Sequence, residues 1–218
     1  CNHFLQLLIQ LKDYDNVHSF FQTGFAQTHN LSLEYGKKNY TIRASGSLFD
    51  QDAVVPTNTY KKYNARLSGT LNIGKYIKIS PSAQYIHSQN DKPLRGAGGY
   101  LLNLMIWPKD NDVRNYQTED GKKILLYSAA PNSEFDNPFF NVHFNRSKDV
   151  IDRYILNTGI DITPFSWLTV SGRFGYDTYK QDGYTFYHPL SYLLTSGTGG
   201  SLDNYYRKYT GYNHTITA

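Results

Sequence analysis

The sequence is poor in the features that would place it among familiar catalytic or helical proteins. It has a single cysteine, Cys1, so no internal disulfide can form. No run of about 18 apolar residues occurs, which excludes a transmembrane helix but not a membrane β-barrel, whose strands carry only half their residues in lipid. Lys and Arg total 22 but never form a run, and the net charge is only +4. That distribution leaves no nucleic-acid footprint. The seven histidines include no pair at metal-ligand spacing. No Gly-x-Ser-x-Gly occurs and the only cysteine is terminal, so no nucleophile constellation is expected. Gly96, Gly98 and Gly99 lack the Lys-Ser/Thr pair and the strand–helix setting of a phosphate loop. The expectation is therefore no enzyme, no metal and no cofactor. The sequence also lacks an initiator Met and a signal peptide, which reads as a piece of a longer protein or a processed form.

What is abundant is tyrosine: 20 Tyr accompany 12 Phe and 2 Trp. A chain rich in Tyr with turn-forming residues favours strands over helices. The alternation within it is regular. Tyr63, Ala65, Leu67, Gly69, Leu71 and Ile73 interleave with Lys62, Asn64, Arg66, Ser68, Thr70 and Asn72. Successive side chains on a strand point to opposite faces, so this segment has one apolar wall and one polar wall. The pattern recurs at residues 30–35, 40–48, 77–85, 153–162 and 168–177, and less cleanly at 205–217. About seven strands are predicted, several longer than the usual five or six residues.

The predicted connections alternate in length. Tight ones fall at 36–39, 74–75 and 164–167, and long ones at 51–58, 90–150 and 182–204. A meander with short turns at one end and long loops at the other matches the plan of outer-membrane barrels. Aromatics add two levels: Tyr35, Tyr40, Tyr76, Phe165 and Trp167 at the short-turn end, and Tyr60, Tyr63, Tyr85, Tyr154, Tyr176 and Tyr179 near the long-loop end. Bilayer interfaces favour such girdles. Arg43, Arg66, Lys78, Arg153, Asp161, Arg173 and Asp177 all fall mid-strand on the polar wall, where they read as the lining of a wet lumen. Asp161 and Asp177 are also candidates to face each other across neighbouring strands as a carboxylate pair.

These residues resemble the SusC/RagA family of TonB-linked outer-membrane transporters. Phe20 to Gln51 looks like the start of the family's barrel, with Phe20, Phe21 and Gly24 before a strand, Gly36 in the turn, and Tyr40 and Ser45 in the next strand. "TYKKYNARLSGTLNI", Asn137–Pro138 and "PFSWLTVSGRFGYD" also fit, so the likeness spans about residues 15–182. Departures are Asp52 and Ala53 after Gln51, where the family usually has Gly, and Lys62, where Arg is commoner. The family's plug domain and most of its barrel are missing, and transporters of this class close 22 strands around a plugged lumen. The resemblance thus implies an all-β antiparallel meander that forms an unclosed part of a large transmembrane barrel. Residues 1–27 are its lead-in and 28–218 its barrel section. It also implies a location in the outer membrane of a gram-negative bacterium, lipid on one face, and a SusD-like surface lipoprotein and the TonB system as partners. An oligosaccharide or peptide would be the substrate.

The 90–150 connection is too long for a structureless loop. "GAGGYLLNLMIWPKD" predicts a Gly-rich entry, a short apolar helix and a Pro stop. Asp110, Asp112, Glu119 and Asp120 lie off the twelve-residue spacing of an EF-hand, so they read as a solvated polar turn. Trp107, Tyr100, Tyr116 and Tyr184 fall in the long connections as candidate surfaces for stacking on substrate. The rival reading is a soluble all-β carbohydrate-binding module, in which the apolar wall would be a buried core.

Overall fold

The computed structural model describes residues 12–96, 99–126, 135–192 and 199–218. Seven strands form one antiparallel sheet in chain order. They are β1 (Phe25–Lys37), β2 (Tyr40–Asp52), β3 (Thr59–Ile73), β4 (Ile77–Lys92), β5 (Arg146–Phe165), β6 (Leu168–Tyr187) and β7 (Ser201–Thr217). β1 and β7 are the free edges, so the sheet is not closed. Three short helices sit off its long-loop end: α1 (Asn16–Phe20), α2 (Tyr100–Ile106) and α3 (Pro138–Phe144). The expected apolar helix of the long connection is α2, and Trp107 and Pro108 end it.

The register keeps the two walls apart across the whole sheet. Leu33 faces Ala44, Ala44 faces Leu67, Leu67 faces Ala83, Ala83 faces Leu156, Leu156 faces Tyr176, and Tyr176 faces Tyr212. Directly opposed residues share a face, so one apolar row crosses all seven strands. A further row two levels away on the same face runs Ile79, Ile160, Gly172 and Ile216. A slip of one residue at any ladder would exchange the walls. Large side chains on this face stay open: Leu33 is 68% exposed, Leu67 54% and Leu156 46%. Ile160 and Val170 are half-buried among their strand neighbours.

Tight turns join β1 to β2, β3 to β4 and β5 to β6. Gly74 opens the second turn at φ +60, in the left-handed region where a Cβ costs about 1–2 kcal/mol. The β5–β6 ladder shifts register between Ile162 and Phe165, and Phe165 stacks on Trp167 at 5.6 Å and 5° at the turn.

The strands run further than the apolar alternation predicts. β4 continues to Lys92, β5 begins at Arg146 and β6 ends at Tyr187. The added residues are largely polar, because ladder hydrogen bonds need no apolar side chain. The chain's buried core therefore lies off the sheet, at the long-loop end, where Phe20, Val55, Leu104, Trp107, Val113 and Val142 pack together. The described part of the lead-in belongs to this core through α1. Residues 1–11 lie outside the described residues.

Gly74→Val is expected to destabilise the β3–β4 turn by about 1–2 kcal/mol and to lower the temperature at which the full-length protein loses its folded, fast-migrating form on heat-modifiability gels. An unchanged transition would show that the turn tolerates a side chain.

Candidate functional site

The polar wall is built by the same ladders. Arg43 faces Ser68, Arg66 faces Gln84, Lys78 faces Asp161, Arg153 faces Tyr179, Arg173 faces Gly159, and Asp177 faces Ile155. All seven charged residues singled out in the sequence fall on this one face. Arg153 forks onto Asp177: its Nε donates to Oδ1 at 2.8 Å and Nη2 contacts Oδ2. Arg173 Nη1 lies 2.7 Å from Asp161, which also accepts from Ser171 Oγ at 2.7 Å. Bidentate guanidinium–carboxylate pairing fixes orientation as well as charge, yet each partly exposed pair contributes only about 0–1 kcal/mol.

The carboxylates do not face each other. Asp161 lies opposite Ser171 and Asp177 opposite Ile155. Six residues therefore separate their levels on β6, about 20 Å at about 3.3 Å per residue. Hydrolytic carboxylate pairs need about 5–9.5 Å, so the register leaves no such pair here, and each acid holds an arginine instead. Gly159 and Gly175 leave a hollow of about 360 Å³ in this face, bordered by Lys78, Asp161, Arg173 and Asn213. Among the described residues no three His, Cys, Asp or Glu side chains converge on a metal position.

Two residues assigned to the outer aromatic girdle are on the polar face instead. Tyr60 contacts Phe49 at 5.8 Å, and Tyr179 stacks on Tyr209 at 5.4 Å and 22°. Register explains both: Tyr60 is an odd number of residues from Tyr63, and Tyr179 from Tyr176, so each pair points to opposite faces. Tyr63, Tyr85, Tyr154 and Tyr176 remain on the apolar face, where Tyr85 meets Tyr154 at 5.0 Å and Tyr176 meets Tyr212 at 5.3 Å. Tyr205, which sequence reasoning missed, also turns to the polar face. Its ring lies against Gly183, where a Cβ would come within 2.3 Å of it, and its hydroxyl bonds Asp149, as does Lys92. The signal was there in the parity of β7, but tyrosines on both faces hid it.

At the long-loop end the lead-in and the three long connections form one knot. Asn16 donates to Pro108 O and Asn111 O, both at 3.0 Å, and accepts from Val113 N. Asn137 caps α3 by accepting from Phe139 N at 2.8 Å, and donates to Val113 O at 2.7 Å. Thr57, at φ +65, donates its hydroxyl to Val142 O at 2.6 Å. Lys123 is almost fully buried. Its ammonium lies 2.7 Å from both Asp136 and Leu190 O, with the Phe140 and Tyr192 rings 4.6 and 4.1 Å away. Asp136 in turn accepts from Tyr192 N and bonds Ser191. A buried charge persists only when paired and hydrogen-bonded, and this one ties the 93–145 and 188–200 connections together.

The knot also decides the four aromatics proposed for stacking. Trp107 is buried: its Nε1 donates to Asn111 O at 3.1 Å and its ring meets Phe135 edge-on. Tyr100 stacks on Phe20 at 5.0 Å, and burial pushes its hydroxyl pKa up. Tyr116 packs against both Phe139 and His143, which neighbour each other on α3. These rings hold the loops together, and Trp107 offers no free face. Tyr184 lies on β6, opposite Lys148, rather than in a loop. The acidic stretch forms local pairs. Arg114 clamps Asp112 at 2.7–3.2 Å and holds its carboxyl below the usual range, while Asp120 pairs with Lys122.

His188 is a pH-sensitive point of the knot. Its Nδ1 accepts from Leu190 N at 3.1 Å, and Phe140 and Phe144 flank the ring. Burial, with the nearby Lys123 charge, pulls its pKa below the ordinary imidazole value. The unfolded loop therefore binds the proton more readily than the folded one. The contribution is present above about pH 6.5 and is lost as pH falls through the lowered value. The protection factor of the Leu190 amide, its exchange rate corrected for the intrinsic pH dependence, is expected to fall on acidification below about pH 6.5 and to lose that acid step in His188→Gln. A protection factor that does not change with pH would contradict this assignment.

No family model matches the chain. It is 22% identical over 205 residues to a curated TonB-dependent receptor of Formosa agariphila, a match covering 87% of this chain and 20% of that receptor. Its fold is similar to the RagAB peptide transporter, with a TM-score of 0.75 at 16% identity over 94% of this chain and 23% of that one. The closed-closed and open-open states of the RagAB peptide importer give TM-scores of 0.69 and 0.71 at 17% and 16% identity. The chain thus spans about a fifth of the curated relative it matches. The motifs of Phe20 to Gln51 and Thr59 to Ile73, set on a meander of this order, thus resemble the SusC/RagA family of TonB-linked transporters, and the fold is that of a seven-stranded section of such a barrel.

Proposed function

We propose that this section serves an outer-membrane importer as lipid-facing wall, lumen lining and part of the outside vestibule. The observation that carries the reading is the sheet's two-sidedness. One face exposes large apolar side chains across seven strands, and the other carries paired Arg and Asp. In a bilayer such a wall satisfies its backbone through its own ladders and presents apolar atoms to acyl chains. Arg43, Arg66, Lys78, Arg153, Asp161, Arg173 and Asp177 then border the lumen. Five cations against two carboxylates leave a surplus of positive charge that suits a substrate with carboxylates. A peptide fits that chemistry and agrees with the peptide transport named for RagAB; an oligosaccharide is the second candidate. Transport of this kind makes no bond, so no catalytic residue is assigned. The TonB system would drive passage, and a SusD-like lipoprotein would deliver the substrate from outside.

We take α2 as the seat of that lipoprotein, which would act as a lid over the transport path. Leu101, Leu102, Met105 and Ile106 are exposed on a helix whose Asn103 and Leu104 are buried in the knot. An uncovered apolar strip on an outside loop fits a partner surface. The soluble-module reading would need a second layer over the apolar wall and predicts a monomer that stays in solution without detergent.

In the full-length receptor, trypsin added to intact cells is expected to cut at Lys109, Arg114 or Lys122, all exposed in the 93–145 connection. Cutting only from the periplasmic side would reject the topology. Leu102→Glu with Met105→Glu is expected to reduce co-purification of the surface lipoprotein severalfold while heat-modifiable migration is kept. Undiminished recovery would place the lid elsewhere.

A further inference from the structure

The apolar face ends at a polar row. His87 faces Asp152, Asp152 faces Lys180, and Lys180 faces Lys208. The row lies just outside the level where Tyr85 meets Tyr154 and Tyr176 meets Tyr212. Val170 to Lys180 is ten residues, about 33 Å along the strand at about 3.3 Å per residue. At a tilt of roughly 40° this is about 25 Å of height, the height of a barrel's outer apolar band. Rings of this kind mark the bilayer interface, so the lysines stand at headgroup level on the lipid side.

Within this section the protein offsets their charge only in part, through Asp152 directly opposite Lys180. Lys180 and Lys208 are directly opposed on adjacent strands and exposed, an arrangement that is destabilising for like charges. Neither forms an ion pair among the described residues. The carboxylate beside them, Asp152, is already engaged by Tyr85 Oη at 2.5 Å and His87 Nδ1 at 2.8 Å. Asp182, one row further out, reaches neither lysine within ion-pair distance and faces Tyr206. Lysines at directly opposed positions of adjacent strands can bring both ammonium groups to one tetrahedral anion.

We propose that Lys180 and Lys208 bind the phosphate of an anionic glycolipid of the outer leaflet, with its acyl chains lying on the apolar wall beside Tyr176 and Tyr212. The site lies outside the transport path, and it rests on the reading of this face as lipid-facing. Below the lysines, Thr178 Oγ1 donates to Tyr209 O at 2.7 Å. That bond leaves the ammonium groups as the polar donors aimed at a headgroup. Phosphate contacts at such a rim add electrostatic attraction to apolar burial.

The test uses the full-length receptor in a non-ionic detergent with lipid A, followed by native mass spectrometry and thermal unfolding. Wild type is expected to retain a lipid A molecule that is lost at least threefold more readily from the Lys180→Gln/Lys208→Gln double variant. Removing two repelling surface charges leaves folding intact, which heat-modifiable migration verifies. Lys62→Gln, on the opposite face, is expected to behave as wild type. Equal retention by the double variant, or equal retention of dephosphorylated lipid A, would overturn the site. A thermal shift from inorganic phosphate alone as large as that from lipid A would overturn the lipid as its occupant. A receptor that fails to partition into membranes would instead sink the wall reading itself.

Discussion

Everything in this section of barrel depends on register. Each backbone amide in a bilayer must find its partner within the protein, and six consecutive ladders do this in chain order. Because the side-chain period is two, the same hydrogen bonds also sort the residues by face. The sorting of apolar from charged residues therefore needs no packed interior. The sheet has almost none: the buried apolar residues that cluster lie in the knot of connections rather than between layers.

That division explains two different ways of holding structure. In the wall, stability comes from backbone ladders, cross-strand apolar contacts and the surrounding lipid. The charged pairs on the polar face, Arg153–Asp177 and Arg173–Asp161, are too exposed to add much and instead set the chemistry of the surface. In the knot, which meets water, the chain follows the rules of a small soluble domain. Apolar side chains cluster, two helices are capped by Asp15 and Asn137, and the buried amides of Asn16, Asn137 and Asn145 are each hydrogen-bonded. The structure's buried asparagines substitute there for the secondary structure that irregular connections lack.

The wall was legible in the sequence because lipid enforces a period of two. Strands 3 to 6 could be read from residues such as Leu67, Ile79, Leu156 and Val170 alone. What was misread lies where lipid no longer constrains the pattern. Strand ends beyond the bilayer, such as Asp149 on β5 and Gly183 on β6, are polar and look like loop. The faces of Tyr60 and Tyr179 were misassigned by proximity to the girdle, although counting parity from Tyr63 and Tyr176 places them correctly. Trp107 looked like a free ring in a loop because its partners, Phe135 and Asn111 O, and the core it joins at Phe20 come from contacts that no spacing reveals. The buried Lys123 carried no sequence signal, since its carboxylate and rings lie 13, 17 and 69 positions away.

The cage around Lys123 has an evolutionary corollary. One ammonium group is held by atoms from two long connections, and Thr57 fastens the third to Val142. The long-loop end of the sheet is therefore a single mosaic rather than three independent ribbons. Sequence drift can proceed freely at rim residues such as Asp110 or Lys122. A change at Asp136, Asn145 or Ser191 must instead be matched by compensating changes on another connection, so these positions are expected to vary together or stay put.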